Sequence, residues 1–207
     1  MARLGRPRGF DRKEALKQAM ESFWAAGYEG ATLADLQKAM GGITAPSFYA
    51  AFGSKEELFR EAVELYSSTL GVPMMEALSR EPDVRASISH LLEAAVKAFC
   101  KPGKPRGCML VLTAIHTMPA NQSVRDHLKA LRARRRRLIQ ERLQRGIDEG
   151  QLRGSVDAAA VASFVTTVID GLAIQARDGA SRRTLDFAAK CAMAAWDKAV
   201  DWKKVPA

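Results

Sequence analysis

The stretch Thr44-Ala-Pro-Ser-Phe-Tyr-Ala-Ala-Phe-Gly-Ser-Lys-Glu-Glu-Leu-Phe59 decides the fold. It reads as a short helix over 44–51 with a tip of small residues, followed at once by a second helix from 54. Thr44 is the expected N-cap, and Pro46 falls in the first turn, where its missing N–H is harmless. Ser54-Lys-Glu-Glu57 has the form of a capping box. Upstream, Thr32-Leu-Ala-Asp-Leu-Gln-Lys-Ala-Met-Gly-Gly42 predicts a helix over 32–40 that ends in glycine. Two short helices joined by a tight glycine turn form a helix-turn-helix, which places its second helix in a DNA major groove.

A helix as short as 44–51 is unstable alone and must be held by packing. Phe48 and Phe52 lie one turn apart, and Phe23, Leu33, Leu36, Met40, Ile43, Leu58 and Phe59 are their expected neighbours. The exposed face is then Ala45, Pro46, Ser47, Tyr49 and Ala50. Thr44 and Ser47 can hydrogen-bond bases or phosphates, and Ala45 can meet a thymine methyl. Tyr49 lies on the side that should face the phosphate backbone. Lys55 adds a charge beside the free N–H groups of the next helix, which suits a phosphate. The compact tip with Pro46 lets the backbone approach the bases closely.

These residues resemble the DNA-binding domain of the TetR family of bacterial regulators. Thr32, Asp35, Ile43, Thr44, Ser47, Tyr49, Phe52, Ser54, Lys55, Glu57 and Leu58 fall on positions of the family's motif. Phe23, Gly27 and Tyr28 match the end of its first helix. The resemblance implies phosphate contacts for Tyr49 and Lys55 and base contacts from the start of the 44–51 helix; Thr32 joins the expected DNA-contacting set. It also implies a ligand-responsive repressor, a homodimer formed through the last two helices, and a cytoplasmic location. Two departures stand out: Gly41-Gly42 is one residue longer than the usual turn, and Ala45 stands where a lysine is often found.

The formal net charge of +9 favours an anionic partner, nucleic acid or membrane surface. No stretch reads as a transmembrane helix or a signal peptide. The arm Ala2-Arg-Leu-Gly-Arg-Pro-Arg-Gly9 carries Arg3, Arg6 and Arg8. Gly5-Arg6-Pro7 resembles the core of an AT-hook, in which an extended arginine-proline segment enters a narrow minor groove. Cys100, Cys108 and Cys191 lack metal-type spacing, and their odd number argues against a disulfide framework.

Strand signals are nearly absent and helix punctuation is frequent. The remaining expected helices cover 11–26, 54–70, 84–100, 107–117, 123–149, 157–177 and 181–201. Gly71-Val-Pro73 kinks or ends the helix from 54, and Lys101-Pro-Gly-Lys-Pro-Arg-Gly107 is the clearest loop. The expected fold is all-α with about nine helices. An N-terminal three-helix helix-turn-helix domain occupies residues 1–55, and a larger effector-binding and dimerisation domain occupies 56–207.

Both of the last two helices are apolar on two faces, so both faces must be covered. One can meet the core and the other a second subunit, as the resemblance implies, the alternative being a helix pair central to a monomer. Val161, Val165, Val168 and Leu172, with Leu185, Ala189, Ala192 and Trp196, are the expected dimer interface, although the pattern itself does not choose between the faces. The helix over 123–149 sets Arg135 and Arg142 in the middle of the stripe Leu128, Leu131, Leu138, Ile139 and Leu143. A buried guanidinium needs a partner. An acid such as Asp170 or Glu149 would serve, and so would an anionic effector.

Effector-pocket candidates are Tyr66, Met74, Met75, Phe99, Met109, His116, Arg135 and Phe164. Cys108, just after Arg106, is a candidate redox or electrophile sensor, because nearby cations favour the thiolate. No cofactor and no metal are expected, since His90, His116 and His127 show no ligand spacing. The motifs G-x-S-x-G, G-x-x-x-x-G-K-[ST] and H-E-x-x-H are missing, which argues against an enzyme. The expected partners are a double-stranded DNA operator, a small-molecule effector and a second copy of the chain. Two rivals remain: a helical binding protein or enzyme without sequence-specific DNA binding, and a non-specific DNA binder.

Overall fold

The computed structural model describes residues 11–200, and every regular element among them is helical. The order is α1 (Arg12–Gly30), α2 (Leu33–Ala39), α3 (Ala45–Phe52), α4 (Lys55–Tyr66), α5 (Val72–Met75), α6 (Ala77–Arg80), α7 (Val84–Phe99), α8 (Met109–His116), α9 (Gln122–Asp148), α10 (Ala158–Arg177) and α11 (Arg182–Ala199). The sequence anticipated the long helices to within a few residues, because most of them start at a capping side chain. Asp11, Thr32, Thr44, Ser54, Asp83, Asp157 and Ser181 each accept from a backbone N–H of the first turn. Gly27, at φ 74°, interrupts α1 where its end was expected.

The expected helix over 54–70 is two structures. α4 ends at Tyr66, and Ser67–Gly71 continues as one wide π-helical turn before α5. The reason is visible at Pro73, which has no N–H for the normal helical ladder. The four-residue α6 and a 3-10 turn at Pro119–Asn121 were not anticipated; pieces this short carry no hydrophobic period.

Helices α1–α4 form the N-terminal head. Phe23, Phe48, Leu58 and Phe59 are fully enclosed at its centre. Phe23 and Phe59 meet edge to face at 5.1 Å. Arg12 closes the side of α3: its guanidinium donates to the Ala51 carbonyl and to Glu61 on α4, and lies 4.6 Å over the Phe52 ring.

The apolar core runs without a break from this head into the larger helical layer, where α10 packs on α7, α9 and α11. Polar ties fix the head against that layer. Lys104 pairs with Glu21, Arg177 donates to the Ala25 carbonyl, and Glu29 accepts from Met118 N at 2.9 Å and Asn121 Nδ2 at 2.7 Å. α10 is long and apolar enough by composition to cross a membrane. In this fold one of its faces is core: Ala162, Val165, Ile169 and Ala173 are enclosed within the chain.

Candidate DNA-reading face and effector cavity

Thr44 organises the tip of α3. Its side-chain oxygen accepts from Ser47 N at 3.4 Å, and its hydroxyl donates to Ser47 Oγ at 3.0 Å. The Ser47 hydroxyl hydrogen is thereby left free for a base or a phosphate. Ala45, Pro46, Ser47 and Ala50 are exposed, as expected. Tyr49 is half exposed, at 51%, and its ring leans edge-on against Phe48 at 5.4 Å. The phenol is therefore anchored at its base and open at its hydroxyl.

The turn before α3 has Gly41 at φ 86° and Gly42 at φ 76°, both in the left-handed region. The extra residue of the turn is accommodated because neither position carries a Cβ. Thr32 is exposed and caps α2, accepting from Asp35 N at 3.1 Å. Lys55 is more engaged than expected. Its ammonium sits 4.6 Å over the Tyr28 ring, and burial lowers its pKa. Arg3, Arg6 and Arg8 lie outside the described residues.

The larger domain carries a half-open cavity of about 310 Å3, in the size range of small-molecule sites. Five of the eight expected effector residues line it: Tyr66, Met74, Met75, Phe99 and Arg135. Leu70, Leu110 and Leu131 complete apolar walls, and Cys108 is part of the lining. Val72 and Leu138 are partly exposed at its edge. Met109 is fully buried and is not among the lining residues.

Phe164 does not face the cavity; it stands 37% exposed on the outer side of α10. The hydrophobic period placed it on an apolar face but could not say which neighbour that face meets. His116 lies on α8, and its side chain falls outside the described set.

Arg135 is 6% exposed and pairs with Asp170 of α10, one of the two partners anticipated. Its Nε has no hydrogen-bond partner among the described residues. With its charge balanced inside the protein, Arg135 does not require an anionic ligand, contrary to the alternative read from the stripe. Among the described residues Arg142 makes no ion pair with a carboxylate, though the Glu149 and Asp83 charges are near. It donates to Ser87 Oγ at 3.0 Å and to the Pro82 and Glu81 carbonyls at 2.9 and 3.3 Å, just beyond the end of α6. Burial lowers its pKa, helped by nearby Arg145. Arg106 also departs from expectation: it points to Cys100 Sγ at 3.5 Å and to the Ala180 carbonyl, away from Cys108.

The expected interface set is corrected by the structure. Val161, Val165, Leu172, Leu185, Ala189, Ala192 and Trp196 are buried within the single chain, and Val168 packs against the same core. The unpartnered side is the opposite one. On α10 it carries Phe164, Thr167, Gly171 and Ile174, and on α11 Phe187, Cys191, Ala194 and Ala195, all exposed. Phe187 is 68% exposed, an unusual position for a phenylalanine. Sequence period found both faces, but only the path of α7 and α9 decides which is covered.

Comparison with known proteins agrees with this geometry. The family model described as "Bacterial regulatory proteins, tetR family" matches residues 15–62, and the one described as "Tetracyclin repressor-like, C-terminal domain" matches 84–192. The HTH-type transcriptional repressor ComR of Escherichia coli K12 is 32% identical, over 95% of this chain and 93% of its own length. The HTH-type transcriptional repressor BdcR of the same organism is 31% identical, over 92% and 89%. Among solved structures, a cysteine mutant of the TetR family transcriptional regulator CifR, complexed with 26-bp double-strand operator DNA, superposes with a TM-score of 0.88. It is 44% identical, over 92% of this chain and all of that one.

Proposed function

This chain belongs to the TetR family of transcriptional regulators, and on that premise we propose that it is a repressor whose paired heads grip a pseudo-palindromic operator and let go when a small molecule fills the cavity beneath α4. The exposed tip of α3 carries this reading: small side chains, a free Ser47 hydroxyl and an open Tyr49 phenol on a rigidly clamped helix. Relatives named as repressors and a similar regulator held on operator DNA support it. Residues 1–55 read the DNA, residues 56–207 bind the effector and assemble the dimer, and α4 is shared between them. The basic arm adds minor-groove contacts.

Two copies associate through the outer sides of α10 and α11. Small residues there let helices approach closely, and Phe164, Ile174 and Phe187 supply the apolar area. Occupancy of the cavity acts on Tyr66 and the π-helical turn, and so on the far end of the helix that begins beside α3. As a DNA-binding regulator the protein works in the cytoplasm, with operator, effector and second copy as its partners and no membrane or enzymatic step.

The test is discrimination between a genomic fragment selected by the protein and a scrambled fragment of equal length. Ser47→Ala is expected to narrow the gap in affinity while leaving non-specific binding in place. Unchanged discrimination in Ser47→Ala and in Ala45→Ser alike would remove the α3 tip from the reading role.

A further inference from the structure

The loop Lys101-Pro-Gly-Lys-Pro-Arg-Gly107, between α7 and α8, is pinned along its length. Gly107 N donates to the Phe99 carbonyl at 3.0 Å. Gly107 also lies so close to α10 that a Cβ there would fall 2.5 Å from the Ala173 carbonyl oxygen. The Arg106 side chain donates to the Ala180 carbonyl, and Pro102 and Pro105 fix φ at two further positions.

This pinned loop gathers cations. Lys101, Lys104 and Arg106, with Arg182 from the start of α11, line one open pocket of about 390 Å3, and no carboxylate is among its described lining residues. An adjoining pocket of about 170 Å3 shares Lys101 and Lys104 and adds Lys17 of α1, with Glu21 as the one carboxylate in its described lining. The charges are poorly matched. Lys104 pairs with Glu21, but Arg182 reaches Asp186 only at 3.6 Å with its side chain 63% exposed. Arg106 takes a carbonyl and Cys100 Sγ, and Lys101 makes no ion pair among the described residues. Like charges on a solvated face spread apart; a loop that holds four of them around one pocket favours an anion of more than one charge. Ammonium and guanidinium groups together suit phosphate oxygens, the first as point charges and the second as forks.

Resting on the regulatory reading above for its DNA readout, we infer that this loop is a second effector site, that it takes a small phosphate polyanion such as a diphosphate group, and that its occupancy loosens the DNA-reading head. The cation pocket shares no lining residue with the apolar cavity, so the two sites can be filled together.

The route to the head is Glu21. Its pair with Lys104 is one of the polar ties between α1 and the larger layer. An anion seated on Lys101, Lys104 and Arg182 draws on the same ammonium and repels the Glu21 carboxylate beside it. The tie weakens, and the polar anchoring of α1 falls to Arg177 and Glu29.

The probe is inorganic pyrophosphate, with sodium chloride and sodium sulfate at matched ionic strength as controls, because all DNA binding weakens with salt. Isothermal calorimetry on the full chain reads binding. Fluorescence anisotropy on a selected genomic fragment reads the operator. One pyrophosphate per chain is expected, with Kd below about 1 mM. Operator affinity should fall by about fivefold or more beyond the salt controls, and the operator complex should bind pyrophosphate more weakly by the same factor. Lys101→Gln/Arg182→Gln alters two exposed side chains. It should weaken pyrophosphate binding by about tenfold or more and keep operator affinity when pyrophosphate is left out. Glu21→Gln removes the competing carboxylate, so it should bind pyrophosphate more tightly and the operator more weakly.

No heat beyond the sulfate control, or equal binding by Lys101→Gln/Arg182→Gln, would overturn the site. Bound pyrophosphate that leaves operator affinity at the level of the salt controls would overturn its effector role, and unchanged pyrophosphate affinity in Glu21→Gln would break the route through Lys104. Weaker non-specific DNA binding by Lys101→Gln/Arg182→Gln without pyrophosphate would make the loop a DNA contact instead. Failure of the untreated protein to select any DNA fragment would break the regulatory reading, with the calorimetric result standing apart.

Discussion

Phe187→Asp separates the two faces of α11. Phe187 is 68% exposed in the single chain. A phenylalanine presents roughly 200 Å2, so about 140 Å2 remains to be covered by a partner. At about 25 cal/mol per Å2 this is roughly 3.5 kcal/mol per copy as an upper estimate, and a two-fold contact doubles it. Association retains only part of such a gain. Even half of the doubled figure, about 3.5 kcal/mol, weakens a dissociation constant by roughly three-hundredfold. The aspartate adds a desolvated charge to the loss.

The assay is sedimentation velocity at micromolar concentration with thermal melting alongside. Phe187→Asp is expected to give a folded monomer with near-normal far-UV circular dichroism and no operator binding. Leu185→Asp, fully buried in the single chain, should unfold it instead. A Phe187→Asp protein that still sediments as the wild-type dimer, or a wild type that is itself monomeric, would rule out a dimer interface on this face.

Tyr49→Phe removes an exposed hydroxyl from a ring that stays anchored on Phe48. Affinity should fall for specific and non-specific DNA alike, measured by anisotropy; altered base preference at full affinity would contradict a phosphate role. Asp170→Asn strips the buried Arg135 of its carboxylate at a cost of about 1–3 kcal/mol, and each kcal/mol should lower the melting temperature by about 2–4 °C. Arg85 holds the Asp197 carboxyl below the usual range by hydrogen bonding. A depressed carboxylate contributes stability above its unfolded pKa and loses it as pH falls through the folded value. Asp197→Asn should therefore cost little at neutral pH, under about 1 kcal/mol because both groups are over a third exposed, and should flatten acid unfolding below about pH 4.

Helix positions were legible because they depend on local chemistry. A capping side chain and the next three residues fix where α2, α3 and α4 begin, and the period of Phe48 and Phe52 fixes which side of α3 is left open. The cavity was legible in part for the same reason: Arg135, Leu131 and Leu138 share a stripe on α9. What could not be read depends on residues far apart in the chain. The partners of Arg142, two carbonyls and the Ser87 hydroxyl, lie 55 to 61 residues away. The outward side of α10 is outward only because α7 and α9 cover the other. The ties of Glu21, Ala25 and Glu29 to the core have no local signal. Lys55 is a further case, since its position over Tyr28 requires α1 and α4 to be packed before it can be seen.

Footprinting on a genomic fragment selected by the protein tests whether paired heads read one operator. One protected pseudo-palindrome is expected, with half-sites about one helical turn apart or a multiple of it, lost on dimer disruption. Uniform protection along the fragment, or no protection at any concentration that leaves the protein soluble, would contradict it.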